Sequence, residues 1–119
     1  MATGISGILD KINKIDKVLG CIISSYDGII LDSSMREGSD PEFEAGIGSH
    51  KVSRIKDTFK RLEFGEIEQI TLYGKEGNQC IYDFNGNILL INCHKNANIN
   101  FIGIEVEPFV EEIKKVLAG

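Results

Sequence analysis

Two dipeptides, Asp27-Gly28 and Asn85-Gly86, each separate two short apolar runs, and this arrangement restricts the possible folds more than any other feature of the chain. A tight antiparallel reversal needs positive φ at its corner, which Gly reaches without steric cost and which Asn and Asp tolerate. Each dipeptide therefore predicts a β-hairpin. The first joins Cys21 to Ser25 with Ile29 to Ser33, and the second joins Gln79 to Phe84 with Ile88 to Cys93. Ile67 to Tyr73 reads as a further strand, set off by the polar turn Lys75-Glu76-Gly77-Asn78, so the last three strands form an antiparallel meander.

The remaining apolar residues repeat at three and four, which is helical spacing. Ile5, Ile8, Leu9, Ile12, Ile15 and Leu19 make one stripe of a first helix, with Lys11, Lys14 and Lys17 off the stripe and Gly20 as its stop. Met35 to Ser39 reads as a loop. Asp40-Pro41-Glu42 is a helix start, with Asp as N-cap, Pro at the first position and Glu near the positive end of the dipole. That second helix should run to about Glu63, with Phe43, Ile47, Val52, Ile55, Phe59 and Leu62 as its apolar positions. Its first half is bare at Ala45, Gly46, Gly48 and Ser49. Ile99, Ile102, Val106, Phe109, Val110, Ile113 and Leu117 form a last helix, where Pro108 predicts a kink or a late start. The order is helix, two strands, helix, three strands, helix, an α+β arrangement whose antiparallel sheet needs helices on both faces to bury this much apolar surface.

A chain of 119 residues with 42% hydrophobic residues can bury one core without metal or disulfide staples, and a single domain over 1–119 is expected. The net charge of −5 argues against nucleic-acid binding, which draws its affinity from clustered Lys and Arg on phosphates. Cys21, Cys80 and Cys93 are odd in number and lie among apolar residues, as buried reduced thiols of a cytoplasmic protein do. Met1 to Asp10 has no basic n-region or long apolar run, so no secretory signal is expected. Ile88 to Ile91 and Ile29 to Leu31 are far too short to insert in a bilayer, which takes about 20 residues as a helix.

From Leu19-Gly20-Cys21 through Tyr26-Asp27-Gly28 to Asp32-Ser33, the chain resembles the first hairpin of the Roadblock/dynein light-chain family, and the element order αββαβββα resembles it throughout. The resemblance implies a profilin-like five-stranded antiparallel sheet and a dimer, homotypic or heterotypic, paired edge to edge through the third strands, Glu66 to Tyr73. It places Glu68, Ile70, Thr71, Leu72 and Tyr73 at that interface. The second helices would lie side by side on one face, where Ala45, Gly46, Gly48 and Ser49 would let a partner helix or the sheet beneath approach closely. It implies no cofactor and no catalysis. Family members regulate or scaffold Ras-like small GTPases or serve as dynein light chains, and a free-standing domain looks more like the prokaryotic GTPase regulators.

The residues themselves offer little chemistry. No Gly-x-x-x-x-Gly-Lys-Ser/Thr loop exists to cradle a nucleotide, and Gly46-Ile47-Gly48 falls inside a helix. Ser24, Ser25 and Ser33 have no base assigned beside them. Cys93-His94 are adjacent strand residues that point to opposite faces, which does not make a metal site with Cys21 or Cys80. Charge placement on the second helix is more informative: Lys51, Arg54, Lys56, Lys60 and Arg61 face only Asp57 in an otherwise acidic chain. With His50 and Ser53 they form a face suited to the acidic or nucleotide-proximal surface of a GTPase, where Arg54 or Arg61 stands in reach of a phosphate in principle. The last helix carries Glu105, Glu107, Glu111 and Glu112 before Lys114 and Lys115, an order that suits the helix dipole and requires no partner. A structural adaptor within a larger complex is the competing function, and a small-molecule sensor is a third.

Overall fold

The computed structural model describes residues 4–35 and 40–119, the Phe43 side chain excepted. Its elements are α1 (Ile5–Asn13), β1 (Val18–Ser25), β2 (Ile30–Met35), α2 (Pro41–Arg61), β3 (Gln69–Tyr73), β4 (Asn78–Asp83), β5 (Asn87–Cys93) and α3 (Ile99–Ala118). The strands make one antiparallel sheet in the order β2-β1-β5-β4-β3. The two most apolar runs become the adjacent inner strands β1 and β5. Alternation then sorts their side chains by face. Cys21, Ile23, Leu89 and Ile91 join α1 and α3 in the larger core, while Ile22, Ile88 and Leu90 meet Ala45 and Val52 of α2 on the other side.

Both Gly corners form as the dipeptides predict, with φ of 83° at Gly28 and 60° and 135° at Asn85 and Gly86. The first helix is shorter than its stripe suggests. It ends at Asn13, Lys17 takes a left-handed φ of 69°, and Val18 to Gly20 join β1. Leu19 fits either repeat, and pairing with strands on both sides supplies its segment with backbone partners that a frayed helix end lacks. Gly20 is accordingly no helix stop. It pairs with Met35 and Asn92, and a Cβ there would stand 2.7 Å from Met35 Sδ. Met35 closes β2, and the rest of the expected Met35 to Ser39 loop lies outside the described residues.

The second helix stops in a Schellman motif. Glu63 adopts φ 60°, Phe64 N–H donates to the Phe59 carbonyl and Glu63 N–H to that of Lys60. The Phe64 ring then meets Phe59 edge-on at 5.6 Å, the apolar contact that accompanies this motif. The third helix starts at Ile99, where the Asn98 side chain accepts from Phe101 N–H at 3.1 Å. It continues through Pro108 to Ala118, so the expected late start is not found. Pro108 is exposed, as is Ile104 one turn earlier, so water reaches the carbonyl whose bond Pro removes.

All three thiols are free and buried. Burial, with Asp10 and Asp32 nearby, pushes Cys21 up to about 12, and burial above all pushes Tyr82 to about 12. The hydrogen bond between Cys80 and Cys93 lowers the first and, together with burial, raises the second, so the two work against each other. In the unfolded chain Cys21 and Tyr82 ionise near their ordinary 9.0 and 10.0, so above pH 9 the unfolded state sheds protons that the native state keeps. Stability is expected to hold level up to pH 9 and then to fall toward pH 12, as urea midpoints across that range will read out.

Candidate functional site

β3 stands at the end of the sheet, bonded to β4 on one side and bare on the other. Its side chains are unusually open for a five-residue strand. Leu72 is 38% and Tyr73 71% exposed, Ile70 and Thr71 are half-buried, and Glu68 just before the strand is exposed. Ile70 pairs with Ile81 and packs on the α2-side core, so Leu72, two residues on, faces that side as well. Because α2 packs over β1, β2 and β5, the corner made by β3 and β4 has little above it.

One flank of α2 looks toward this corner. Lys51 Nζ donates to Gln79 of β4 at 3.0 Å, Gln79 to Asn92 at 2.8 Å, and Asn92 to Glu44 at 2.7 Å, a polar ladder from the helix across two strands. On the Lys51 side of the helix lie Ile47, Ile55 and Leu62, of which Ile47 and Leu62 are 45% and 52% exposed. The Lys51 bond to Gln79 ties this flank to β4, the strand next to the bare edge of β3. Sequence periodicity marks Ile47, Ile55 and Leu62 as helix positions without separating those facing the sheet from those beside it.

The small residues of α2 serve a different purpose from a helix–helix contact. Ala45, Gly48 and Ser49 are buried against the chain's own sheet. A Cβ on Gly48 would approach Leu90 Cδ1 to 2.6 Å, and Ser49 Oγ lies 2.7 Å from the Ala45 carbonyl and 3.2 Å from that of Ser25. Of the four, Gly46 alone is exposed. Their bareness brings α2 down onto β1 and β5, so Ala45, Gly48 and Ser49 are not available to a partner.

The basic face also divides. His50, Ser53, Arg54, Lys60 and Arg61 point outward, with Arg61 bridging Asp57 at 3.3 Å. Lys51 is engaged by Gln79. Lys56 turns inward, donating to Tyr26 Oη over whose ring it sits at 4.5 Å, and pairing with Asp83 at 3.0 Å. Asp83 also accepts from Tyr26 Oη and from Asn85 N–H. Hydrogen bonds to Tyr26 and Asp83 outweigh burial and raise the Lys56 ammonium above its ordinary value, so it stays charged. Lys51 and Lys56 thus fasten α2 to the sheet and leave the outward face to the other five residues.

The chain's other reactive side chains are absorbed structurally. Ser24 is buried and lies 3.2 Å from the Ser25 carbonyl, and Ser25 Oγ accepts from Ile29 N–H at the first hairpin. Ser33 is half-buried in β2. Among the described residues no group of three or more His, Cys, Asp or Glu side chains converges as a metal would require, and no helix is long and apolar enough to cross a membrane.

No family model matches the chain. An uncharacterised protein of Methanocaldococcus jannaschii is 24% identical over 110 residues, spanning 92% of this chain and 96% of the relative. Among solved structures, a Roadblock/LC7 domain from Streptomyces avermitilis superposes with a TM-score of 0.87 at 13% identity, covering 98% of this chain and 100% of that one. MglB of Myxococcus xanthus gives 0.89 at 12% identity, with 96% and 94% covered. The chain has the Roadblock/LC7 fold. An MglB with a tetrameric arrangement shares it as well, at a TM-score of 0.82 and 8% identity over 98% of this chain and 92% of that one. At such identities the likeness is one of architecture: the Roadblock/LC7 order of five strands and three helices is kept while most side chains differ.

Proposed function

We propose that the chain is a self-pairing regulator or scaffold that binds a Ras-like small GTPase on the outward face of α2. The observation that carries the self-pairing is the coincidence of three open features on one side of the molecule. These are the bare β3 edge, the apolar corner of Ile70 and Leu72, and the α2 flank of Ile47, Ile55 and Leu62. A second copy related by a twofold axis satisfies all three at once, pairing β3 with β3 and laying α2 beside α2. The tetrameric MglB is a precedent for self-association on this fold.

The class of partner comes from the family resemblance of the first hairpin, and the charge of the α2 face supports it. Arg54 and Lys60 are exposed cations in a chain of net charge −5, and charges of this kind steer and orient a complementary partner. The experiment is size-exclusion chromatography with light scattering, on the chain alone and with a Ras-like GTPase carrying GDP or a GTP analogue. A dimer that binds one nucleotide state more tightly is the expected result, and Arg54→Glu with Lys60→Glu should weaken that binding about tenfold or more. Binding indifferent to the nucleotide removes the regulator and leaves the structural adaptor.

A further inference from the structure

We infer that the paired molecule has a second docking surface on the sheet face opposite α2, a trench that takes a Lys- and Arg-rich amphipathic segment of another protein. It rests on the self-pairing proposed above.

A groove of about 920 Å³ runs between β3 and α3. Tyr73 and Tyr82 belong to its floor and Ile104, Glu107 and Glu111 to its helical wall, while Glu66 and Glu68 line it from the segment leading into β3. Beyond β3 the sheet ends, so a single chain supplies one wall only. Pairing through β3 brings the same groove of a second copy against the open side, giving a floor shared across the seam and an α3 wall on each flank.

The lining specifies the occupant. Five acidic residues, Glu66, Glu68, Asp83, Glu107 and Glu111, line the groove against one ammonium, Lys114, which is already within 3.4 Å of Glu111, while the Asp83 carboxylate is paired with Lys56 of α2 at 3.0 Å. With Asp83 neutralised by Lys56, the lining carries a net charge of −3 per copy and −6 for the pair. Within this acidic lining Ile104 and Tyr73 are 72% and 71% exposed, and exposed apolar side chains amid like charges fit a ligand with apolar anchors and opposite charge. An acidic segment or a nucleic acid is repelled by the same carboxylates. The α2 face carries the opposite charge on the opposite side of the sheet, so the scaffold offers two surfaces that select different partners.

The probe is a fluorescein-labelled Lys/Leu amphipathic peptide of about 18 residues, five helical turns, with a Glu-for-Lys version as its control. Calorimetry is expected to give one peptide per two chains, because a single segment occupies a site on the twofold axis, and affinity should fall steeply with salt. Glu68→Gln with Glu107→Gln, and separately Ile104→Ser, should each weaken binding about tenfold or more. Arg54→Glu with Lys60→Glu should leave it unchanged. One peptide per chain, equal binding of the acidic control, or indifference to the Glu68 and Glu107 substitutions overturns the trench. Association of dimers with one another that those substitutions abolish would assign the groove to a second copy's basic α2 and overturn it also. Light scattering on the same samples separates the two readings: a dimer that ignores the peptide sinks the trench alone, and a monomer sinks the self-pairing first.

Discussion

Replacing Leu72 with aspartate is expected to convert the proposed dimer of two 13.2 kDa chains into a monomer. Leu72 sits on the open strand, on the α2 side of the sheet, beside the corner formed with Ile70. In the self-paired sheet each copy brings this side chain close to the twofold axis, so one substitution introduces two carboxylates into one apolar contact. Burying a charge without a partner costs several kcal/mol, and each 1.4 kcal/mol is tenfold in affinity, so the dimer should weaken about a thousandfold or more. The single chain already exposes 38% of Leu72, so the circular dichroism of the monomer should match that of the parent. Light scattering over a concentration series measures the effect. A dimer that survives the change places self-association away from β3.

Two glycines of one turn of α2, separated by Ile47, are expected to respond in opposite directions to a side chain. Nothing lies within 4 Å of a Cβ on Gly46, so Gly46→Ala should stabilise the protein by about 0.5–1 kcal/mol through helix propensity alone. A Cβ on Gly48 would stand 2.6 and 3.0 Å from the two Leu90 methyls. Leu90 is 1% exposed in the centre of the sheet and cannot yield without disturbing its neighbours. Gly48→Val, which adds two further methyls and a β-branched χ1, should cost about 2–3 kcal/mol. Urea midpoints of the two variants measure the contrast. Equal tolerance at both positions would mean that α2 rides higher on the sheet than its contact with Leu90 implies.

Local rules located most of the fold. The Gly corners, the Ile-rich inner strands, the Pro41 helix start and the α3 stripe each depend on neighbours within a few residues, where φ preference and periodicity act directly. The boundary near Leu19 was not legible because its side chain suits a helix stripe and a strand equally. Backbone pairing with β2 and β5, distant in sequence, settled the matter in favour of β1.

The candidate site divides along the same line. That α2 is basic, and that its first half is small, are facts of the sequence. Which of those residues face outward depends on what lies beneath the helix. Lys56 finds Tyr26 and Asp83, and Lys51 finds Gln79. Gly48 finds Leu90. Each of these contacts joins residues more than 25 apart in the chain, a range that periodicity and composition do not carry. Sequence alone determined the elements, their order and the charge of the second helix, because those properties are local and additive. The tertiary structure alone decided that an apolar flank of α2 stands on the β4 side of the helix and that part of the basic face is used to fasten the helix, because exposure belongs to the packed chain as a whole.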